Sequence, residues 1–99
     1  MDYRVILSKP SLRDLGRIAR YIAQDNPPAA ERVGLELVRL AESLQALPAR
    51  GAPLRSRPGT RRLVSDPYLV LYRIDEPCRV VNVLRFWHAK QNPAALWLD

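Results

Sequence analysis

Five basic residues, Arg61, Arg62, Arg73, Arg85 and His88, are the ones whose types and positions could do chemistry. Metal-free cleavage of RNA needs a base near the 2′-hydroxyl, an acid near the leaving oxygen and cations around the phosphorane. His88 and Arg85 are the candidates for the catalytic pair, with the other arginines as the cations. Without a working base, the same arginines form a binding surface, since the planar guanidinium fork suits bidentate contact with phosphate or carboxylate. His88 also has a plain structural reading, in which it closes the last strand by hydrogen bonding. A metal centre is not expected: one histidine, one cysteine (Cys78) and scattered carboxylates give no ligand spacing. No cofactor is expected either, because Gly51 and Gly59 lie in a turn-rich loop without a phosphate-binding fingerprint.

The elements that must hold these residues centre on 68–88, YLVLYRIDEPCRVVNVLRFWH. Tyr68, Val70, Tyr72 and Ile74 alternate with Leu69, Leu71 and Arg73, and this β-branched and aromatic enrichment predicts a central strand. Asp75-Glu76-Pro77-Cys78 supplies a short loop, since Pro77 cannot donate to a ladder. In the returning strand, strict alternation puts Val81, Val83, Arg85 and Trp87 on one face and Val80, Asn82, Leu84, Phe86 and His88 on the other. Arginines in so apolar a hairpin must line a groove or be satisfied inside, because a buried unpaired guanidinium is very costly.

Before the hairpin, Tyr3–Leu7 reads as a first strand, closed off by Pro10. Ser11 offers an N-cap with Asp14 three residues on, opening a helix whose apolar stripe is Leu12, Leu15, Ile18, Ala19 and Ile22. Arg13, Arg17 and Arg20 make its other face cationic. Asp25-Asn26-Pro27-Pro28 ends that helix and caps a second, running to about Leu47 with Ala30, Val33, Leu37, Leu40, Ala41 and Leu44 as its buried stripe. So short a joint predicts an antiparallel helical hairpin. Leu35 and Val38 fall off the stripe and mark a second contact. From Pro48 to Gly59 prolines and glycines interrupt any period, which predicts a loop with at most an edge strand near Leu54–Arg57. Arg50, Arg55, Arg57, Arg61 and Arg62 crowd this region without an acidic neighbour, a local charge able to hold a polyanion. Arg62-Leu63-Val64 predicts a strand, and Asn92-Pro93 opens a short terminal helix carrying Leu96, Trp97 and Leu98.

A chain of 99 residues with 47% hydrophobic content suits one domain over residues 1–99. Its 16 Lys+Arg against 10 Asp+Glu give net charge +6, which favours anionic partners: nucleic acid, a ribosome or an acidic protein. Lysine occurs only at Lys9 and Lys90, so the charge is nearly all arginine, an excess that codon usage would also produce. With a single cysteine, no signal peptide and no membrane-spanning run, a cytoplasmic location is expected, without membrane association.

The order strand, helix, helix, then three or four strands predicts an α+β fold, β-α-α-β-β-β, in which a helical hairpin covers one face of an antiparallel sheet of about four strands. Several segments together resemble the RelE/ParE superfamily of bacterial toxins, and its ParE-like branch in particular. They are Tyr21-Ile22-Ala23-Gln24-Asp25-Asn26-Pro27, Leu44-x-x-Leu47-Pro48-x-x-Gly51, Arg61-Arg62-Leu63-Val64, Tyr68-x-Val70-x-Tyr72-Arg73 and Val83-Leu84-Arg85-x-x-His88. The resemblance implies the toxin of a type II toxin–antitoxin, or plasmid stabilisation, module. It implies neutralisation by a ParD-like antitoxin with a ribbon-helix-helix part and an amphipathic tail. ParE-like members imply inhibition of DNA gyrase by binding; RelE-like members imply cleavage of mRNA on the ribosome, although the lysines and acids typical of those relatives are not evident here. A basic nucleic-acid-binding module without toxicity is a third reading. The target-binding residues expected from this are Arg61, Arg62, Arg73, Arg85, His88 and Trp97. The antitoxin-binding residues expected are Leu35, Val38, Arg55 and Arg57, where cations and off-stripe apolar groups meet an acidic amphipathic tail.

Overall fold

The computed structural model describes residues 2–91. Its elements are β1 (Arg4–Leu7), α1 (Lys9–Ala23), α2 (Pro27–Glu42), β2 (Ala52–Pro53), β3 (Thr60–Ser65), β4 (Tyr68–Asp75) and β5 (Val80–His88). The strands form one sheet in the order β1-β5-β4-β3-β2. The α+β architecture with a helical hairpin on one face is therefore as the sequence implies. Among the described residues the sheet has five strands rather than about four, and it is mixed, because β1 pairs parallel to β5. A parallel pair needs a crossover, and α1 and α2 are part of the long connection that returns the chain to β5. The edge strand lies at Ala52–Pro53 and not at Leu54–Arg57, where Pro53 is harmless because an edge need not donate outward. The terminal segment with Trp97 lies outside the described residues.

Both helices begin on side-chain caps followed by proline. Asn26 accepts from the Ala29 N–H at 3.1 Å ahead of Pro27 and Pro28, as its sequence predicts. In α1 the cap is Ser8, not Ser11: Ser8 Oγ accepts from the Ser11 N–H at 3.1 Å. Pro10 falls inside the first turn, where a missing N–H is no loss, so it opens the helix instead of blocking it. Moving the cap by three residues frees Asp14 from any capping role.

The main core lies between α2 and one face of the sheet, where Leu37, Ala41 and Leu44 meet Val70, Tyr72, Val81, Val83 and Phe86. Each leucine fully buried there contributes about 1.5–3 kcal/mol. A smaller cluster, Leu71 and Trp87 with Leu54 and Leu69, sits on the other face. Of the stripe expected in α1, Leu15 and Ile18 pack on the core, but Leu12 is 51% exposed. Its place against the sheet is taken by Ser11 and Asp14, both buried.

One irregularity decides which way the arginines point. Leu71 pairs with Arg85 and Tyr72 with Val83, so Leu84 is an extra residue, a β-bulge. Strict alternation fails there. Val81 and Val83 share the core face with Phe86, while Arg85 and Trp87 turn to the face they share with Leu71, against the expected grouping of Arg85 with Val83.

Candidate functional site

β1 ends at Leu7 opposite Val83, so the rest of the β5 edge needs other partners. The start of α1 supplies them. The Ser8 N–H donates to Val83 O at 3.1 Å, Ser8 Oγ donates to Leu84 O at 3.0 Å, and the Phe86 N–H donates to Asp14 Oδ2 at 3.1 Å. The same Asp14 carboxylate accepts both prongs of Arg85, Nε at 2.7 Å and NH2 at 2.9 Å. Side-chain exposures of 5% for Arg85 and 2% for Asp14 make this a buried ion pair. Arg17 adds a longer contact to Oδ1 at 3.4 Å, and Arg85 also lies 5.2 Å from the centre of the Trp87 ring. Arg85, expected at the target surface or beside a catalytic base, is thus a structural residue. The sequence gives the requirement, a satisfied or exposed guanidinium, but not the partner, which is 71 positions away.

Arg62 and Arg73 lie exposed on the open face. The register places Arg73 opposite Thr60, and Arg62 opposite Leu71, two positions further along β3. They are diagonal neighbours on one face, with backbones about 7–8 Å apart. Arg73 is steadied by Thr60 Oγ1 at 3.2 Å and Pro58 O at 3.3 Å. Gly59 has φ +86, and a Cβ there would lie 2.6 Å from the Arg73 guanidinium, so glycine at 59 permits both the turn and this packing. Among the described residues no carboxylate pairs with Arg62 or Arg73.

Arg61 points the other way. Its NH1 donates to Gly51 O at 2.7 Å and Ala49 O at 3.3 Å, fastening the loop before β2. Beside it, Tyr72 Oη donates to Pro48 O at 2.6 Å and accepts from the Gly51 N–H at 2.9 Å. Burial pushes the Tyr72 phenol above its ordinary value of 10.0, against smaller opposite effects from the Gly51 bond and the nearby Arg61 and Arg50. These bonds account for the Leu47-Pro48-x-x-Gly51 spacing. Tyr72→Phe should cost about 1–3 kcal/mol, measured by urea unfolding, because it orphans the Gly51 N–H and the Pro48 carbonyl in a buried place.

His88 lies on the core side of the sheet, at the end of β5. Its ring stands edge-on to Tyr68 at 5.3 Å and 87°, and its Nδ1 accepts from the Lys90 N–H at 3.1 Å. A neutral imidazole with Nδ1 so engaged carries its proton on Nε2, and the ring then presents a donor rather than a lone pair. The sheet therefore does not bring His88 together with Arg62, Arg73 or Arg85. Cys78 is no better placed as a nucleophile, since its hydrogen bond to Asp75 holds the exposed thiol above its ordinary value. Among the described residues no cluster of three or more His, Cys, Asp or Glu could hold a metal ion, and no helix is long and apolar enough to cross a membrane.

Of the expected antitoxin contacts, Leu35 on α2 is 47% exposed and Val38 is half-buried. Arg55 and Arg57 are exposed on the loop between β2 and β3. They belong to different parts of the fold, Leu35 and Val38 to α2 and Arg55 and Arg57 to the loop at the β2 edge of the sheet.

Residues 5–93 match the family described as the ParE toxin of type II toxin-antitoxin systems, parDE. The chain belongs to this family. The toxin is 33% identical over 93 residues to Toxin RelE1 of Caulobacter vibrioides, a match covering 89% of this chain and 95% of that protein. Its fold is similar to a chain in the toxin–antitoxin complex RelBE2 of Mycobacterium tuberculosis, with TM-score 0.70 and 33% identity over 89% of this chain and 99% of that one. It is also similar to a chain of the chromosomal ParDE system of Pseudomonas aeruginosa, with TM-score 0.76 and 20% identity over 87% and 95% of the two chains. The latter likeness is one of fold alone. The protein is thus the toxin of a type II toxin–antitoxin system of RelE/ParE type, and a cognate antitoxin is its partner.

Proposed function

We propose that this toxin acts by binding, that its target is DNA gyrase or the gyrase–DNA complex, and that a ParD-like antitoxin neutralises it. The observation that carries this reading is the separation of the two groups a cleavage mechanism would need together. Arg85 is committed to Asp14, and His88 sits on the opposite face of the sheet with Nδ1 engaged by Lys90. What is left accessible on the open face is a pair of arginines, Arg62 and Arg73, next to the exposed Val64. Such a surface can hold an anionic macromolecule, and among the described residues Arg62 and Arg73 supply no acid–base pair to cut it. Arg61 supports it from behind through the Gly51 carbonyl. The test is a supercoiling assay with purified toxin, gyrase and relaxed plasmid. Loss of supercoiling or trapped, cleaved DNA is the expected result. Unchanged supercoiling together with ribosome-dependent cuts in mRNA would contradict it and support the RelE-like alternative.

A further inference from the structure

Beside Arg73 on the open face, β4, the loop that follows it and β5 line a hollow of about 660 Å³ containing Arg73, Asp75, Glu76, Asn82 and Leu84. It is separate from a cavity of about 340 Å³ beside α1, to which His88 belongs. We infer that the hollow takes one basic side chain, a lysine or arginine with an acidic residue next to it, from the protein part of the toxin's target. The inference rests on the reading of the open face as the surface that binds gyrase, and it names the chemistry that this face recognises there.

The hollow is bipolar without neutralising itself. Arg73 lines it together with the carboxylates of Asp75 and Glu76, yet among the described residues neither carboxylate pairs with Arg73. Each of the three is held by something else. Arg73 donates to Thr60 Oγ1 and Pro58 O, and Asp75 Oδ1 accepts from the Cys78 N–H at 3.2 Å. Glu76 Oε1 accepts from Tyr3 Oη, and the Tyr3 ring in turn lies 4.5 Å beneath the Arg79 guanidinium. Two residues apart on one strand, Arg73 and Asp75 share a face with backbones about 7 Å apart. Opposite charges kept separate in this way are already ordered for a partner that offers the complementary pair, so little of the ordering cost falls on binding.

Asn82 supplies the group that reads the partner. It stands opposite Arg73 in the β4–β5 register and is half-buried, and its amide has no hydrogen-bond partner among the described residues. A primary amide both accepts and donates, so Asn82 can accept from an entering ammonium or guanidinium and donate to a backbone carbonyl beside it. Leu84 gives the methylene stem of such a side chain an apolar wall. A nucleic-acid strand fits this part of the face poorly, because Asp75 and Glu76 repel phosphates next to Arg73. A metal ion finds too few ligands, since no cluster of three or more His, Cys, Asp or Glu occurs among the described residues. Arg62 and Arg73 call for an acidic partner surface, and the hollow selects among such surfaces the one that carries a basic residue.

The test measures binding of purified gyrase, with and without DNA, to the full-length toxin and its Asn82→Ala, Glu76→Gln and Glu76→Lys variants by surface plasmon resonance. Asn82→Ala breaks no side-chain bond, and Glu76→Gln keeps an acceptor for Tyr3, so both should melt with wild type. Each should weaken gyrase binding about fivefold, and Glu76→Lys roughly thirtyfold. Unchanged affinity in all three variants, with supercoiling still inhibited by wild type, would overturn the hollow while leaving gyrase as the target. Tighter binding of Glu76→Lys to gyrase with DNA would show that the hollow faces phosphate, and would overturn it as well. Wild-type toxin that does not bind gyrase in either form would overturn both readings.

Discussion

Replacing Asp14 with alanine should destabilise the fold by about 3–5 kcal/mol, because it leaves a buried guanidinium without its counter-charge. In a domain of this size that is a fall in Tm of about 12 °C or more. The loss is larger than for an ordinary surface ion pair because Arg85 and Asp14 exclude water almost completely, so neither can exchange its partner for solvent. Two further variants separate the contributions. Asp14→Asn keeps an acceptor for the Phe86 N–H but loses the charge, and should fall between wild type and alanine. Asp14→Ala combined with Arg85→Met removes both charges and should recover part of the stability lost by the single change, since an apolar pair of suitable volume replaces a buried ion pair at little cost. Thermal and urea unfolding read all three. A cost under about 1 kcal/mol for Asp14→Ala would show that the pair does not secure α1 to β5.

Gly51→Ala is expected to be the other severe change. A Cβ at position 51 would lie 2.5 Å from Arg62 O, 2.6 Å from Tyr72 Oη and 2.9 Å from Tyr72 Cε1. Backbone cannot swing aside as a flexible side chain can, so β2 must move off β3 or the Tyr72 bonds to Pro48 and Gly51 must break. Overpacking of this kind costs about 1–3 kcal/mol, and loss of the Tyr72 bonds adds to it. The consequence reaches the surface, because the colliding carbonyl belongs to Arg62. Amide exchange should quicken at β2 and β3, and binding through the open face should weaken even in molecules that remain folded. Gly34→Ala is the natural control: nothing lies within 4 Å of that Cβ, and alanine inside α2 should stabilise by about 0.5–1 kcal/mol.

The contrast between Asp14 and Gly51 shows what a sequence reader can and cannot see here. The helical hairpin is legible because Asn26-Pro27-Pro28 and the stripe ending in Leu37, Ala41 and Leu44 are local patterns with local causes. The β4–β5 hairpin is legible for the same reason. The parallel pairing of β1 with β5 is not, since it joins Val5 to Val81 and no pattern in Tyr3–Leu7 specifies a direction. Nor is the bulge at Leu84 legible. Val83 and Leu84 are both apolar and nothing marks the extra residue, so alternation alone carries Arg85 onto the wrong face and sets it beside Val83. Ser11 looks as good a cap as Ser8, and the tertiary bonds from the Ser8 N–H to Val83 O and from Ser8 Oγ to Leu84 O distinguish them. The site divides in the same manner. Arg62 and Arg73 meet the expectation of accessible cations, Arg61 and Arg85 are drawn into the structure, and His88 belongs to a cavity on the other side.

Growth after induced expression without antitoxin tests the central claim most directly, comparing wild type, the Arg62→Glu/Arg73→Glu double variant and His88→Ala at equal expression. Binding through the open face predicts that the double charge reversal restores growth, while His88→Ala still arrests it nearly as well as wild type. Arrest by the double variant, with growth restored by His88→Ala, would contradict that claim and make His88 the residue on which toxicity depends.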